Sequence, residues 1–384
     1  MTDPVALARD LAPAMSERAA AYDRDGAFPA DDFADLRKAG LFGLMVPTAL
    51  GGLGATFGDY LPVARELARG NGATALIFNM HASVTGALAG IPDDVARALG
   101  AGDAFFEHRD AVLRRAAEGA FFAVAMSERG AGSRLSAMTT AYEREGDGWR
   151  IRGHKSFCSG AGHAQAYLVA ARNGDKVSQF LVPAGDGVVV EPTWDSLGMR
   201  ATSSHDIHFD TLAPHDALLG GVEGMAVTLA QYMPQWIVAS YAAVYAGVAQ
   251  AAIDAAVSYL EKRDGVRRLP AVRARIGRAD ARVAATWLVV ERAGRLVDEQ
   301  PATPEANRWV YRAKLLAGET AMEVAASMLE ACGTGASRRG EPLERIFRDA
   351  RCGSLQPATS DVCADWLGLD AQGLDADDAE VARW

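Results

Sequence analysis

The sequence predicts an α+β protein in which two helical regions enclose a central region of β-strands. Over residues 1–119, apolar side chains recur at helical spacing, as at Phe33, Leu36, Leu41 and Leu44. Residues 120–221 instead hold short alternating segments separated by glycine-containing turns, and helical spacing returns over residues 222–384. A chain of 384 residues is longer than a single core usually supports. We therefore predict three domains with these boundaries.

Two turns predict β-hairpins in the central region. Gly146-Asp147-Gly148 lies between residues 139–143 and 149–151, and Asn173-Gly174-Asp175 lies between residues 166–171 and 177–182. Residues 188–190 and 207–209 supply two further strands. These segments together predict a small antiparallel β unit.

Composition excludes several classes of partner. The net charge of −10 disfavours nucleic acid and anionic membranes as ligands. No apolar run reaches the roughly 18 residues of a membrane span, and the first residues lack the basic and apolar regions of a secretory signal. Four cysteines without CxxC spacing indicate a reducing compartment. We expect a cytoplasmic protein that binds neither nucleic acid nor membrane.

The histidines do not predict a metal site. Seven histidines are scattered along the chain, and His205 and His208 are the only close pair. Residues three apart in a strand point to opposite faces of the sheet, so these two rings are not expected to share an ion. We predict no metal.

Residues 125–133 form a candidate ligand-binding loop because Gly130, Ala131 and Gly132 are small and follow a predicted strand. Such a loop lets backbone N–H groups approach a planar or phosphorylated ligand closely. The same pattern is also typical of a plain glycine-rich turn leaving a sheet.

Five blocks, in order along almost the whole chain, resemble signatures of the acyl-CoA dehydrogenase family. Residues 125–133 resemble Thr-Glu-Pro-Gly-Ala-Gly-Ser-Asp, and residues 153–161 resemble Gly-x-Lys-x-(Trp/Phe)-Ile-(Thr/Ser)-Asn-Gly. Residues 197–200 match Leu-Gly-Met-Arg, and residues 47–54 match Pro-x-x-x-Gly-Gly-x-Gly. Residues 348–361 resemble the family's closing block. The resemblance implies an N-terminal helical domain, an antiparallel β-barrel and a C-terminal helical bundle.

The resemblance also implies FAD, held between the β domain and the C-terminal helices of a homodimer or homotetramer. Phe157 matches an aromatic residue beside the flavin ring, and Ser159 matches a hydroxyl near the flavin N5 nitrogen. An arginine that reaches the pyrophosphate across a subunit interface corresponds to Arg263, Arg267 or Arg268, unless these form a solvated turn. The cofactor-binding candidates are Met126, Ser127, Gly132, Ser133, Phe157, Ser159, Arg263, Thr359 and Asp361.

The catalytic base of the family is missing. The glutamate of the closing block falls on Pro357, which has neither a carboxylate nor a backbone N–H. Some members carry the base on the first long C-terminal helix, but residues 233–240 contain no acid. α,β-Dehydrogenation of an acyl thioester needs a base and oxyanion donors. The sequence therefore identifies no catalytic base.

We predict the first of three functions, and the other two remain open as alternatives. The first is an FAD-dependent oxidoreductase acting on a small-molecule substrate, an acyl thioester of CoA or a carrier protein, with an electron-transfer partner. The second is a flavin-dependent monooxygenase of the same fold that uses oxygen, which the Phe157-Cys158-Ser159-Gly160 block favours. The third is a flavin-binding protein without catalysis. His81 falls where some members keep a histidine near the pocket, although a core histidine gives the same pattern.

Overall fold

The computed structural model describes residues 3–375, in which two helical regions flank a seven-stranded sheet. The ends of the first and third predicted domains, residues 1–2 and 376–384, lie outside the described residues. The N-terminal helices are α1 (Pro4–Asp25), α2 (Ala30–Lys38), α3 (Phe57–Gly70), α4 (Gly72–Gly90), α5 (Asp93–Ala98) and α6 (Asp103–Ala117).

Local capping fixes where the first helices begin and end. Asp3 accepts a hydrogen bond from the Val5 N–H at the start of α1, and Gly26 ends the helix with φ 60°. Thr56 and Asp59 form a reciprocal capping box at the start of α3. These caps satisfy backbone groups that the helices cannot pair internally.

The central sheet contains both predicted hairpins. Its strands are β1 (Phe122–Ala125), β2 (Ala141–Glu145), β3 (Gly148–Cys158), β4 (Ala166–Asn173), β5 (Lys176–Pro183), β6 (Val188–Glu191) and β7 (His205–Ala213). β2 pairs antiparallel with β3, and β4 with β5, which confirms the two hairpins. β7 joins β3 to β6, again with antiparallel pairing.

The prediction of an entirely antiparallel unit is wrong in one place. β4 runs parallel to β1 along four residue pairs and also meets β2 in parallel at the pair Ala141 and Arg172. The chain between β1 and β4 is long enough to return in the same direction because it contains the β2–β3 hairpin. Turn signals define neighbouring strands, but they carry no information about this longer connection.

The C-terminal region returns to helix, as the sequence predicts. Its helices are α7 (Ala226–Tyr232), α8 (Ala239–Glu261), α9 (Asp264–Arg267), α10 (Pro270–Glu299), α11 (Pro304–Cys332), α12 (Pro342–Arg351) and α13 (Ser360–Ala371). The segment Pro234–Glu261 is long and apolar enough to cross a membrane, but 83% of its most apolar window is buried inside the protein. Its hydrophobicity matches a central core helix.

The two helical regions share one core although the sheet separates them in sequence. α8 packs on α3 and α4 from the N-terminal region and on α10, α11 and α12 from its own. At Gly247 an added Cβ would lie 2.4 Å from the Arg65 carbonyl oxygen, so glycine is required for this close approach of α8 to α3. The predicted domain boundaries near residues 120 and 221 stay predictions, because the packing does not divide the helices into separate bodies.

Candidate functional site

A cavity of about 750 Å³ lies where the sheet meets helices from both ends of the chain. Its polar wall comes from the loop after β1, the end of β3 and the segment before α13, and its apolar wall comes from α4, α7 and α8. Of the residues that the sequence singles out, the cavity is lined by Met126, Ser127, Gly132, Ser133, Phe157, Ser159, Pro357 and Thr359. The structure therefore brings together eight positions from three segments that are distant in sequence.

The loop after β1 is shaped by two glycines. Gly130 and Gly132 have φ values of 85° and 62°, a region that favours glycine. Glu128 and Gly132 exchange backbone hydrogen bonds of 2.9 and 2.8 Å, which close the loop. The Ser156 N–H donates to the Ser127 carbonyl at 2.8 Å and fixes the loop to β3. The backbone of Ser127 is thereby held at the cavity wall.

A buried ion pair between Lys155 and Glu128 also fixes this loop. The Lys155 ammonium donates to Glu128 at 2.8 Å and to the Met126 carbonyl at 3.2 Å, and both side chains are almost fully buried. Glu128 also accepts from the Thr139 N–H and hydroxyl at 2.6 and 2.7 Å and from the Thr140 N–H at 2.9 Å. Burial opposes ionisation of Glu128, but these donors, led by Lys155, lower its pKa to about 2.

Phe157 presents its ring to the cavity from a strained position. Its φ is 58°, which is rare for an aromatic residue, and the register of β3 against β7 shifts between Lys155 and Cys158. The side chain is 60% exposed and meets Trp194 edge-on at 6.2 Å. Such strain persists where the surrounding structure imposes it, which is common at ligand sites.

The segment before α13 carries no acid into the cavity. Tyr245 donates to the Gln356 side-chain oxygen at 2.7 Å, and Lys314 donates to the carbonyls of Gly353 and Gln356 at 2.8 and 3.2 Å. Burial lowers the pKa of Lys314 to about 8. Pro357 lies in the wall between these anchored residues and Thr359.

The cavity wall is almost free of charge. Among the described residues, its charged side chains are Asp195 and Arg351. The Asp195 side chain is 88% exposed and bonded to Arg200 at 2.8 Å, while Arg351 donates to the Ser354 hydroxyl at 2.5 Å. The opposite wall contains Leu76, Met80, Val84, Leu88, Phe105, Leu229, Met233, Trp236 and Ile237. The cavity accordingly fits an uncharged, largely apolar ligand beside the polar strand ends.

Two of the cofactor-binding candidates, Arg263 and Asp361, lie elsewhere. Arg263 is exposed, stacks on the Tyr259 ring at 4.5 Å and lines a second cavity of about 660 Å³. Its neighbours Arg267 and Arg268 both pair with Asp264, as in a solvated turn. Asp361 is exposed on the first turn of α13 and does not line the main cavity. Within one chain, Arg263 and Asp361 thus stand apart from the flavin-ring candidates.

His81 is a core residue, and its contacts do not fit the predicted catalytic role. The ring is 1% exposed and is absent from the cavity wall. Nε2 lies 2.8 Å from the Phe42 carbonyl, which only accepts, and Nδ1 accepts from the Phe122 N–H at 3.1 Å. Both nitrogens are therefore occupied by backbone. Burial lowers the pKa of His81 to about 4 from 6.5.

We expect His81 to make the fold sensitive to acid. Its folded pKa of about 4 is below the reference value of 6.5, so the unfolded chain binds more protons between these values. Stability should fall as the pH drops from 6.5 to 4, by up to about 3 kcal/mol from this residue. Urea unfolding of the wild type and His81→Gln across this range measures the difference. Identical pH slopes for the two proteins would contradict the expectation.

Among residues 3–375, the structure brings together a histidine cluster that sequence spacing did not suggest. His154, Glu191 and His208 lie on adjacent strands with ligand atoms within 4.8 Å of one another. However, the His154 and His208 rings stack at 4.1 Å with a 3° interplanar angle, so their nitrogen lone pairs lie in parallel planes and do not converge on one ion. His205 instead accepts from the Trp194 N–H at 3.1 Å. We keep the prediction that no metal binds.

Sequence reasoning missed several residues of the site. Ser204 and Thr202 lie behind Ser159 in a chain of hydroxyl contacts, and Trp194 faces Phe157. The pair Ser203-Ser204 follows closely after the Leu-Gly-Met-Arg block, and this position next to a family block could have indicated a site residue. The apolar residues of α4 and α7 carried no signal of their own, because a buried helix shows the same pattern.

Comparison with known proteins identifies the family across most of the chain. Residues 5–91, 123–212 and 239–359 match the N-terminal, middle and C-terminal domains of acyl-CoA dehydrogenase, respectively. The putative acyl-CoA dehydrogenase YdbM of Bacillus subtilis is 29% identical over 378 residues, with 94% of each chain covered. L-evernosamine nitrososynthase of a Micromonospora species is 31% identical, over 97% of this chain and 90% of that protein.

One similar solved structure contains a bound flavin. TdsC of Paenibacillus sp. A11-2, a dibenzothiophene monooxygenase, was crystallised with FMN and indole. It superimposes with a TM-score of 0.83 and 25% identity, over 96% of this chain and 97% of that one. Relatives of this chain thus include both oxidoreductases and flavin monooxygenases. The resemblance and the predicted helix–sheet–helix fold are confirmed: the chain belongs to the acyl-CoA dehydrogenase family.

Proposed function

We propose that the protein is a flavin-dependent monooxygenase that uses reduced flavin and oxygen on a small, uncharged and largely apolar substrate. The observation that carries the proposal is the wall at Gln356 and Pro357, which offers no carboxylate where the family places its base. Proton abstraction from an acyl thioester needs such a group within hydrogen-bond reach. Oxygen transfer from a reduced flavin does not require it.

The residues of the cavity suit a flavin ring. Phe157 offers an exposed aromatic edge or face, the 126–133 loop brings backbone close to the cavity, and Ser159 offers a buried hydroxyl. A planar, largely apolar ring system stacks favourably on such a surface. Bound flavin would supply the redox chemistry, while the chain's own residues hold the ring, exclude water and position the substrate against it.

The apolar wall supports the substrate class. Among the described residues, α4 and α7 contribute no charged side chain to the cavity wall, so a substrate that lies against them is expected to be uncharged. The bound indole of TdsC shows that a relative accepts a neutral aromatic molecule. The acyl-thioester oxidoreductase remains the second candidate, because curated acyl-CoA dehydrogenases match nearly the whole chain.

Rapid mixing tests the proposal. The holoenzyme is reduced chemically without oxygen and then mixed with oxygenated buffer while absorbance is followed. We expect a transient spectrum distinct from both oxidised and reduced flavin, with a lifetime longer than free reduced flavin shows under the same conditions. Direct reoxidation without such a transient, together with reduction by a thioester, would favour the dehydrogenase instead.

The form of the flavin and the assembly state are part of the proposal. The family resemblance favours FAD, whereas TdsC contains FMN. If FAD is bound, we propose that Arg263 meets its pyrophosphate from a second subunit of a dimer or tetramer, because Arg263 is exposed and lies apart from the flavin-ring candidates. Chromatography of the extracted flavin and light scattering of the holoenzyme decide the two points.

A monooxygenase also needs an external reductase, and we expect all these components in the cytoplasm.

We expect Phe157→Ala to weaken flavin binding by roughly 1–3 kcal/mol, because it removes an exposed aromatic surface from the cavity. Fluorescence titration of apoprotein with flavin measures the dissociation constant. Leu212→Ala, which truncates an exposed residue outside the cavity, serves as the control. Equal flavin affinity in wild type and Phe157→Ala would show that the ring binds elsewhere.

A further inference from the structure

Three buried hydroxyl groups form a continuous chain behind the cavity wall. The Ser159 and Ser204 hydroxyl oxygens are 2.9 Å apart, and the Ser204 and Thr202 oxygens are 2.7 Å apart. The Thr202 hydroxyl lies 2.8 Å from the Met199 carbonyl oxygen. All three side chains are at least nine-tenths buried, while Ser159 and Ser204 line the cavity.

The far end of the chain fixes the direction of every hydrogen bond. A carbonyl oxygen only accepts, so the hydrogen in the contact between Thr202 and Met199 belongs to Thr202. With that hydrogen used, Ser204 must donate to Thr202. With its own hydrogen used in turn, Ser204 can only accept from Ser159. Two oxygens at these separations need a hydrogen between them, which leaves no alternative order.

Ser159 is consequently an acceptor on the side that faces the cavity. Its single hydrogen is committed to Ser204, and the lone pairs of its oxygen remain for a ligand. A ligand that presents an N–H there is bonded, whereas a ligand that presents a lone pair meets another lone pair. The family resemblance implies that the N5 atom of the flavin lies near Ser159. This atom carries a hydrogen when the flavin is reduced and a lone pair when it is oxidised.

We infer that Ser204 and Thr202 are positioning residues that fix Ser159 as a hydrogen-bond acceptor, so that the site favours reduced over oxidised flavin. The inference rests on the proposed function for the identity of the cofactor. It gives that function a thermodynamic direction, because a monooxygenase must retain reduced flavin until oxygen arrives. The preference originates in residues that act through the Ser159 hydroxyl.

The test compares the dissociation constants of oxidised and reduced flavin as a ratio. The constant for reduced flavin is measured without oxygen. In Ser204→Ala the Ser159 hydrogen loses its acceptor and turns toward the cavity, where it can donate to oxidised N5. We expect the preference for reduced flavin to fall by roughly 3–10-fold, the value of one hydrogen bond. Ser204→Thr keeps the hydroxyl and should retain the wild-type ratio.

Thr202→Val provides an independent arm. Without the Thr202 oxygen, the Ser204 hydroxyl donates to Ser159 instead, and the Ser159 hydrogen is again released. The ratio should therefore change in the same direction as in Ser204→Ala. Ser240→Ala is the control, since this buried hydroxyl donates to the Trp236 carbonyl at 2.8 Å and Ser240 does not line the cavity.

The outcomes are distinguishable. An unchanged ratio, or an equal loss of affinity for both forms of flavin, would overturn the inference and leave the proposed function standing. Failure of the wild-type protein to bind either form would overturn the proposed function, and this inference with it.

Discussion

Replacing Glu128 with Gln is expected to lower the free energy of unfolding by about 3–5 kcal/mol, because it leaves the buried Lys155 ammonium without a countercharge. The Glu128 side chain also joins the 126–133 loop to the backbone of Thr139 and Thr140. We therefore expect weaker flavin binding as well as lower stability. Urea unfolding and flavin titration measure the two effects.

Glu143→Gln is the matched control for this prediction. Glu143 pairs with Arg152 at 2.7 Å in the same domain, but both side chains are more than half exposed. Such a surface pair contributes at most about 1 kcal/mol. The double variant Glu128→Gln/Lys155→Met should recover part of the lost stability, because it removes the unpaired charge. A loss for Glu128→Gln no larger than for Glu143→Gln would contradict the assigned role.

The pair also predicts a pH window. The folded pKa of Glu128, about 2, is lower than its reference value of 4.5. The contribution of its charge to stability is thus complete above pH 4.5 and is lost as the pH falls toward 2. Glu128→Gln should not show this part of the acid transition.

Butyryl-CoA and octanoyl-CoA are expected to leave the flavin of the wild-type holoenzyme oxidised. A positioned general base contributes about 10²–10⁴ to such a rate, and the wall at Gln356 and Pro357 has none. Pro357→Glu should raise the rate of anaerobic flavin bleaching by about 10² or more, if the rest of the wall keeps its geometry. Stopped-flow absorbance at the oxidised flavin band measures this rate.

Pro357→Gln separates the carboxylate from the change of shape. It has nearly the size of Glu but cannot take a proton, so its bleaching rate should remain at the wild-type level. Rapid bleaching of the wild type by either thioester would show that another acid serves as base. It would also return the protein to acyl-CoA oxidation.

The sequence predicted the order of helical and β regions and both hairpins because these follow from local patterns. Apolar spacing at Phe33 and Leu36 predicted helix where α2 lies, and the Asn173-Gly174-Asp175 turn placed β4 beside β5. The parallel pairing of β1 with β4 was not predicted, because it depends on contacts between segments far apart in the chain.

Much of the candidate site was also predicted, through the family blocks that carry Met126, Phe157 and Ser159. Two of the missed residues act by holding a neighbour: Ser204 touches the Ser159 side chain, and Lys314 binds the backbone carbonyls of Gly353 and Gln356. Their types are ordinary for buried strand ends and helices, so only the three-dimensional structure reveals what they contact. His81 is the opposite case. Its position in the sequence suggested a pocket residue, but in the structure its ring is bonded to the backbone of Phe42 and Phe122.

The shared packing of α3 and α8 has a consequence for biosynthesis. The partner surface of α3 lies on a helix that begins only at Ala239, well after α3 ends at Gly70. At about 5–20 residues per second, a ribosome needs on the order of ten seconds or more to make the intervening chain. During that time Ala68, which packs against Gly247 of α8 and is buried in the finished protein, lacks the helix that covers it. The nascent chain is therefore a natural client for chaperones, and a fragment ending before Ala239 should aggregate instead of folding.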